Sequence, residues 1–452
     1  MNIHLLLIIL ITFLLIFIND VSSDHALCWD LIPEPNNLSR KIQRPCPMVK
    51  NRKRAASTAA PANNSDMFTV SFTCSVENEN PELCRKVKNA FYTAGQIISS
   101  SIKLNTPLIV NASLVNFCTT RGICLDGPTG RLTLGGAGPS RLIPIEKDQR
   151  VYPQSILKQL NKENHPEYSP YDINALFNSE GNYWFEEDGP IKPNQSDFLF
   201  VILHELIHGL GFCSGWDDHS DMLGIQNIIT PTPLFLTTIT GQVIFGGFRE
   251  FIFDKFMVLL SDGTRISNLT EELNKFSGVG TTHNSMDDFL NYFMNTFPSS
   301  PEYQIVQKMM NISTTPKSLG ILPLNKTDIK DAFILETSLS PFLPKSSISH
   351  CDYITYTKSS DFLMRYLQDP GISLKRSIRL GGNYVNGPIG PKLAETLSLI
   401  GYQIQNLPNT FKPNPNEIVV DDEINIASSL KAFNLNYLII KFLFFYYIMM
   451  DF

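Results

Sequence analysis

The stretch DFLFVILHELIHGLGF, from Asp197 to Phe212, decides how this chain is read. Its apolar residues run unbroken up to His204, which suits a helix buried on all sides, with Ser196 or Asp197 able to cap its start and Gly209 and Gly211 able to end it. His204 and His208 stand four apart, so on a helix they lie about 40° apart around the axis and about 6 Å apart along it. Both imidazoles can then meet one ion. Glu205 projects about 100° away from His204, a direction poor for a third ligand but good for reaching a water activated by the metal. Zinc suits such a site, because two neutral imidazoles and a third protein ligand leave one coordination position open. Burying two histidines and a glutamate in a helix with no metal would cost several kcal/mol, unless each found a partner.

The third ligand must come from elsewhere. In the compact pattern HExxHxxGxxH the last position is Ser214, a poor zinc ligand, which leaves three downstream histidines. These are His219 in the acidic stretch GWDDHSD, His283 in a Gly/Thr/Asn-rich stretch, and His350 in SSISHCDYITYTKSSDFLMRY.

HELIHGLGF resembles the leishmanolysin group of metzincin metalloproteases, in which an insertion separates HExxHxxGF from a distant third histidine and a methionine turn. The SHCD and DFLMRY islands resemble those later pieces, and LAETLSLIGY loosely resembles the closing helix. The resemblance implies His350 as third ligand, Met364 as the turn methionine, and Tyr366 as a catalytic hydroxyl near the metal. Two departures stand out: the spacing from His350 to Met364 exceeds the family's, and Cys351 occupies a position where the family carries tryptophan. On this placement, a disulfide between Cys213 and Cys351 would clamp the two zinc-bearing segments together.

The rest of the chain frames this centre. It has 452 residues, ample for a large core, and a formal charge of −6 with 18% charged residues. That composition excludes a phosphate-binding basic surface, so no nucleic-acid partner is expected. Leu5 to Ile18 reads as a signal-peptide core within residues 1–23, with a retained signal anchor as the alternative. Sequons at Asn37, Asn63, Asn111, Asn194, Asn268, Asn311 and Asn325, with eight cysteines, suit a secreted glycoprotein carrying disulfides. Arg52, Lys53 and Arg54 resemble a processing site, making 24–54 a candidate propeptide. Cys46 within it could ligate zinc as a latency switch or pair with Cys28.

Phe68, Val70 and Phe72 alternate as in a strand, Asn80 and Pro81 open an amphipathic helix, and a further strand follows near Leu108 to Leu114. The glycine-rich LGGAG at 134–138 reads as a loop. The polar run 406–426 reads as a linker, and 427–452 as a hydrophobic tail resembling a glycosylphosphatidylinositol signal, with a transmembrane or interfacial tail as the alternative.

The expected fold class is α+β: a mixed sheet and active helix in 55–212, and a mostly helical or irregular 213–405 containing a long insertion, together forming the catalytic domain. The expected function is a secreted or surface-anchored zinc endopeptidase acting on proteins or peptides, with Glu205 as general base. The alternative is a zinc-binding pseudoprotease or surface adhesin that binds a partner protein.

Overall fold

The computed structural model describes residues 25–34, 37–50, 67–124, 132–145, 147–160, 164–238 and 240–405. The signal-like segment, the basic site at Arg54, the linker and the hydrophobic tail lie outside the described residues. Among the described residues, no helix is long and apolar enough to cross a membrane.

The fold is α+β. Its amino-terminal strands are β1 (His25–Glu34), β2 (Asn37–Lys50) and β3 (Phe68–Cys74). Helix α1 (Pro81–Ser101) follows, its Asn80 side chain accepting from the Leu83 N–H as the Asn-Pro pair leads one to expect. Next come β4 (Leu108–Val115), β5 (Gly135–Pro139), β6 (Arg141–Ile145), β7 (Arg150–Pro153), β8 (Asn164–Pro166) and β9 (Ile173–Asn178). The helix carrying His204, Glu205 and His208 is α2 (Phe198–Gly209). After it lie β10 (Thr232–Thr237), β11 (Val243–Phe251) and β12 (Thr282–His283), then the short helix α3 (Leu374–Leu380) and the closing helix α4 (Pro391–Ile400).

Two sheets frame the site. The first runs β3-β4-β9-β5, with β4 parallel to both neighbours and β5 antiparallel at the edge. The second has eight strands in the order β10-β11-β7-β6-β1-β2-β8, with β12 pairing onto β11.

Two expectations are corrected by this architecture. LGGAG is largely strand, because its backbone pairs with β9, Ala137 opposite Ala175; at Gly135 a Cβ would lie 2.6 Å from the Phe177 ring, so glycine is what lets the strands approach. The insertion after residue 213 is less irregular than expected, since β10 and β11 complete the eight-stranded sheet. Within the candidate propeptide, β1 and β2 pair with each other, and β1 pairs with β6, with Trp29 opposite Leu142.

Cysteine pairing also departs from expectation. Cys28–Cys46, Cys74–Cys84 and Cys118–Cys124 are disulfides, while Cys213 and Cys351 are free. Cys46 therefore has no thiolate to offer a metal, and the switch reading falls. Cys213 packs against the apolar cluster of Trp29, Leu142 and Phe251, whereas Cys351 is buried with its thiol 3.6 Å from the Asp361 carbonyl. Three disulfides fit an oxidising compartment.

Candidate metal centre

Helix α2 begins where Asp197 accepts from the N–H groups of Leu199 and Phe200, while its second oxygen accepts from Leu374 N–H and ties the helix start to α3. Phe198, Phe200, Ile202, Leu203, Leu206 and Ile207 are all buried. Each contributes about 1.5–3 kcal/mol by leaving water, which offsets the cost of holding polar side chains in the same helix. The chain turns away at Gly211, whose φ of 107° is open to glycine and strained for other residues.

The fold brings His204, His208 and His350 together. Their Nε2 atoms are 3.0 Å (His204 to His350), 3.1 Å (His208 to His350) and 3.2 Å (His204 to His208) apart. On the far side of each ring Nδ1 meets a backbone carbonyl: His204 with Leu363 at 2.8 Å, His208 with Phe212 at 2.7 Å, His350 with Ser346 at 2.9 Å. A carbonyl only accepts, so each Nδ1 carries the proton and each Nε2 is a bare lone pair. Three lone pairs converge with no proton between them, an arrangement a cation relieves. A tetrahedral zinc site with Zn–N near 2.05 Å would space its nitrogens about 3.3 Å apart, close to what is found. The donor set therefore fits zinc.

Burial holds all three imidazoles neutral: His204 is pushed down to about 3, His208 to about 4, and His350 well below its ordinary value. Neutral imidazole is the metal-binding form.

Hydrogen bonds from side chains and backbone shape the loop that carries His350. The buried Glu336 carboxylate accepts from Ser338 N–H at 2.8 Å and Tyr353 N–H at 3.0 Å, and Glu336 N–H donates to the His350 carbonyl at 2.8 Å. Ser349 Oγ accepts from Ser214 N–H at 3.2 Å, and Ser214 Oγ donates to Asp254 at 2.6 Å. These polar links join the helix exit to the His350 loop, where a disulfide was expected.

Met364 is fully buried in a turn of 3₁₀ helix, Phe362–Met364, and its carbonyl accepts from Cys351 N–H. The preceding carbonyl, Leu363, is the one that holds His204. Tyr366 lines the cavity over the histidines and packs against Tyr353, ring centroids 5.6 Å apart. His219 and His283 stay out of the cluster: His219 Nε2 donates to the Gly215 carbonyl at 3.1 Å, and His283 Nε2 meets Thr281 Oγ1 at 2.7 Å.

Glu205 lines the same cavity, of about 900 Å³, as the three histidines. Ala137 N–H on β5 donates to its Oε2 at 2.9 Å. Burial pushes its carboxyl up to about 7, partly offset by that hydrogen bond. A carboxylate poised there can take and return a proton at neutral pH. Ala137 had only a local sequence signal, a small residue among glycines, and the three carbonyls that orient the imidazoles had none, since backbone groups carry no residue signature.

No solved structure matches the chain. Uncharacterized protein PB7E8.01 of Schizosaccharomyces pombe is 28% identical over 372 residues, covering 76% of this chain and 64% of that protein. The chain thus spans somewhat less than two thirds of that relative's length. The SPBPB7E8-like family model matches residues 28–428. On that match the chain belongs to the SPBPB7E8-like family.

Proposed function

We propose that the chain is a zinc-dependent endopeptidase of the metzincin type, similar to the leishmanolysin group, acting outside the cell or anchored at its surface. The observation that carries this reading is the convergence of three Nε2 lone pairs, each fixed by an Nδ1–H to a backbone carbonyl, in one cavity with Glu205. Zinc held by His204, His208 and His350 supplies Lewis acidity toward a carbonyl and a water.

The chain's own residues do the rest. With Glu205 Oε2 held by Ala137 N–H, Oε1 is the oxygen left to take a proton from the attacking water and to return it to the departing amine. Strand β5 pairs on one side only among the described residues, so its other edge can receive an extended peptide through backbone hydrogen bonds. Tyr366 lines the same cavity, which supports a role for its hydroxyl in steadying the reacting carbonyl oxygen. The three disulfides support an extracytoplasmic setting.

Metal analysis of the purified protein, paired with a peptide-cleavage assay, tests the reading. One zinc per chain with chelator-sensitive hydrolysis is expected. Zinc without hydrolysis would favour a binding protein, and absence of zinc would overturn the proposal.

A further inference from the structure

The amino-terminal hairpin reaches the same cavity as the three histidines. Leu31 and Lys41 stand directly opposite each other on β1 and β2, and both line the cavity beside Leu142, Thr232 and Phe251. One wall of the cleft is therefore a face of the eight-stranded sheet, and it carries an amine.

That amine is under-satisfied. Lys41 Nζ donates to Thr232 Oγ1 at a long 3.3 Å and lies 5.5 Å from the centroid of the Trp29 ring. The Thr232 hydroxyl proton goes to the Gly215 carbonyl, so its oxygen has a lone pair for Lys41 but nothing more to add. An ammonium has three donors, and among the described residues one is used. Asp217 and Cys213 act on its charge and His219 also senses it, yet no carboxylate among the described residues stands within ion-pair distance. Asp217 Oδ1 accepts from Asp218 N–H at 2.8 Å and Asp218 Oδ1 from Ser220 N–H at 2.8 Å, so both turn an oxygen into their own loop. Burial without a paired anion draws Lys41 down to about 8.

We propose that Lys41 is the specificity residue of this cleft, receiving a substrate carboxylate, either an acidic side chain or a free chain terminus, and that the hairpin is accordingly part of the working enzyme. This rests on the endopeptidase reading above. A carboxylate there would satisfy the remaining donors with charge-assisted hydrogen bonds, which a neutral amide of the same shape does more weakly.

The test uses the full zinc-loaded chain and a fluorogenic peptide series carrying Glu, Gln or Lys at each position in turn, with the carboxyl end either free or amidated. At one position Glu should exceed Gln in kcat/KM by on the order of tenfold, and Lys should be poorest. If the anchor is the chain terminus, that preference appears as free acid over amide instead. Lys41→Arg should keep the preference and Lys41→Glu should invert it toward Lys. Peptide hydrolysis with no charge preference at any position overturns the inference, needs no variant, and leaves the endopeptidase reading standing. So does an unchanged preference in Lys41→Glu. No hydrolysis of any peptide overturns the endopeptidase reading and this inference with it.

Discussion

Ala137 N–H donates to Glu205 Oε2 at 2.9 Å, joining the edge strand of one sheet to helix α2 across 68 positions of sequence. On the endopeptidase reading, the bond fixes which carboxylate oxygen is left to move a proton. Glu205→Gln should keep zinc, because the residue is no ligand, and lose peptide hydrolysis by about 10²–10⁴-fold. Zinc content and kcat measured on the same sample check both halves, and full activity would remove Glu205 from the mechanism.

The histidine cluster predicts a ligand set. His204→Ala, His208→Ala and His350→Ala should each lose zinc and activity together, because two imidazoles hold the ion far more weakly than three. His219→Ala and His283→Ala should retain zinc, since those rings are turned to Gly215 and Thr281. Zinc that follows His219 would displace His350 from the site.

Ser349→Ala removes the acceptor for Ser214 N–H and loosens the link between the helix exit and the third-ligand loop. Zinc affinity, read by competition with a chelator, should fall by roughly tenfold, as for other groups that orient metal ligands. Unchanged affinity would mean that the Glu336 hydrogen bonds suffice to hold the loop.

The cysteine pattern predicts a count. Of eight cysteines, six are paired, so unfolding the unreduced chain should expose two thiols to a thiol reagent. In the folded state both should react slowly, because burial raises each thiol, Cys213 to about 12, and keeps the thiolate scarce. Zero thiols on unfolding would restore the Cys213–Cys351 bridge.

Lys41 gives a pH dependence. Its folded value of about 8 lies below its ordinary 10.5, so between those two values the folded chain binds fewer protons than the unfolded one. On this group's account stability rises with pH across that window and is lost as pH falls through about 8. The acidic-substrate preference should run the opposite way, present below about 8 and fading above it as the ammonium loses its charge. Asp217, Cys213 and His219 face the amine; Lys41→Arg, charged throughout, should hold the preference to higher pH.

Two of the three converging imidazoles and the glutamate are legible in the sequence alone, because His204, Glu205 and His208 sit on one helix and helical geometry is a local property of neighbouring residues. The strand at Phe68 and the Asn80-capped helix are legible for the same reason. His350 is reached only through resemblance, since 142 positions separate it from His208 and nothing local distinguishes it from His219 or His283. Tertiary structure decides the rest. Glycines that read as a loop form a strand because β9 supplies a partner for their backbone. The link between the segments that carry the histidines is Ser214 with Ser349, because Cys213 turns into the apolar cluster around Trp29 and Cys351 turns toward Asp361. Lys41 enters the cleft because a hairpin from the far amino terminus pairs onto β6. Such choices belong to long-range packing and backbone pairing, whose partners are chosen by the whole fold and leave no mark at the residue itself.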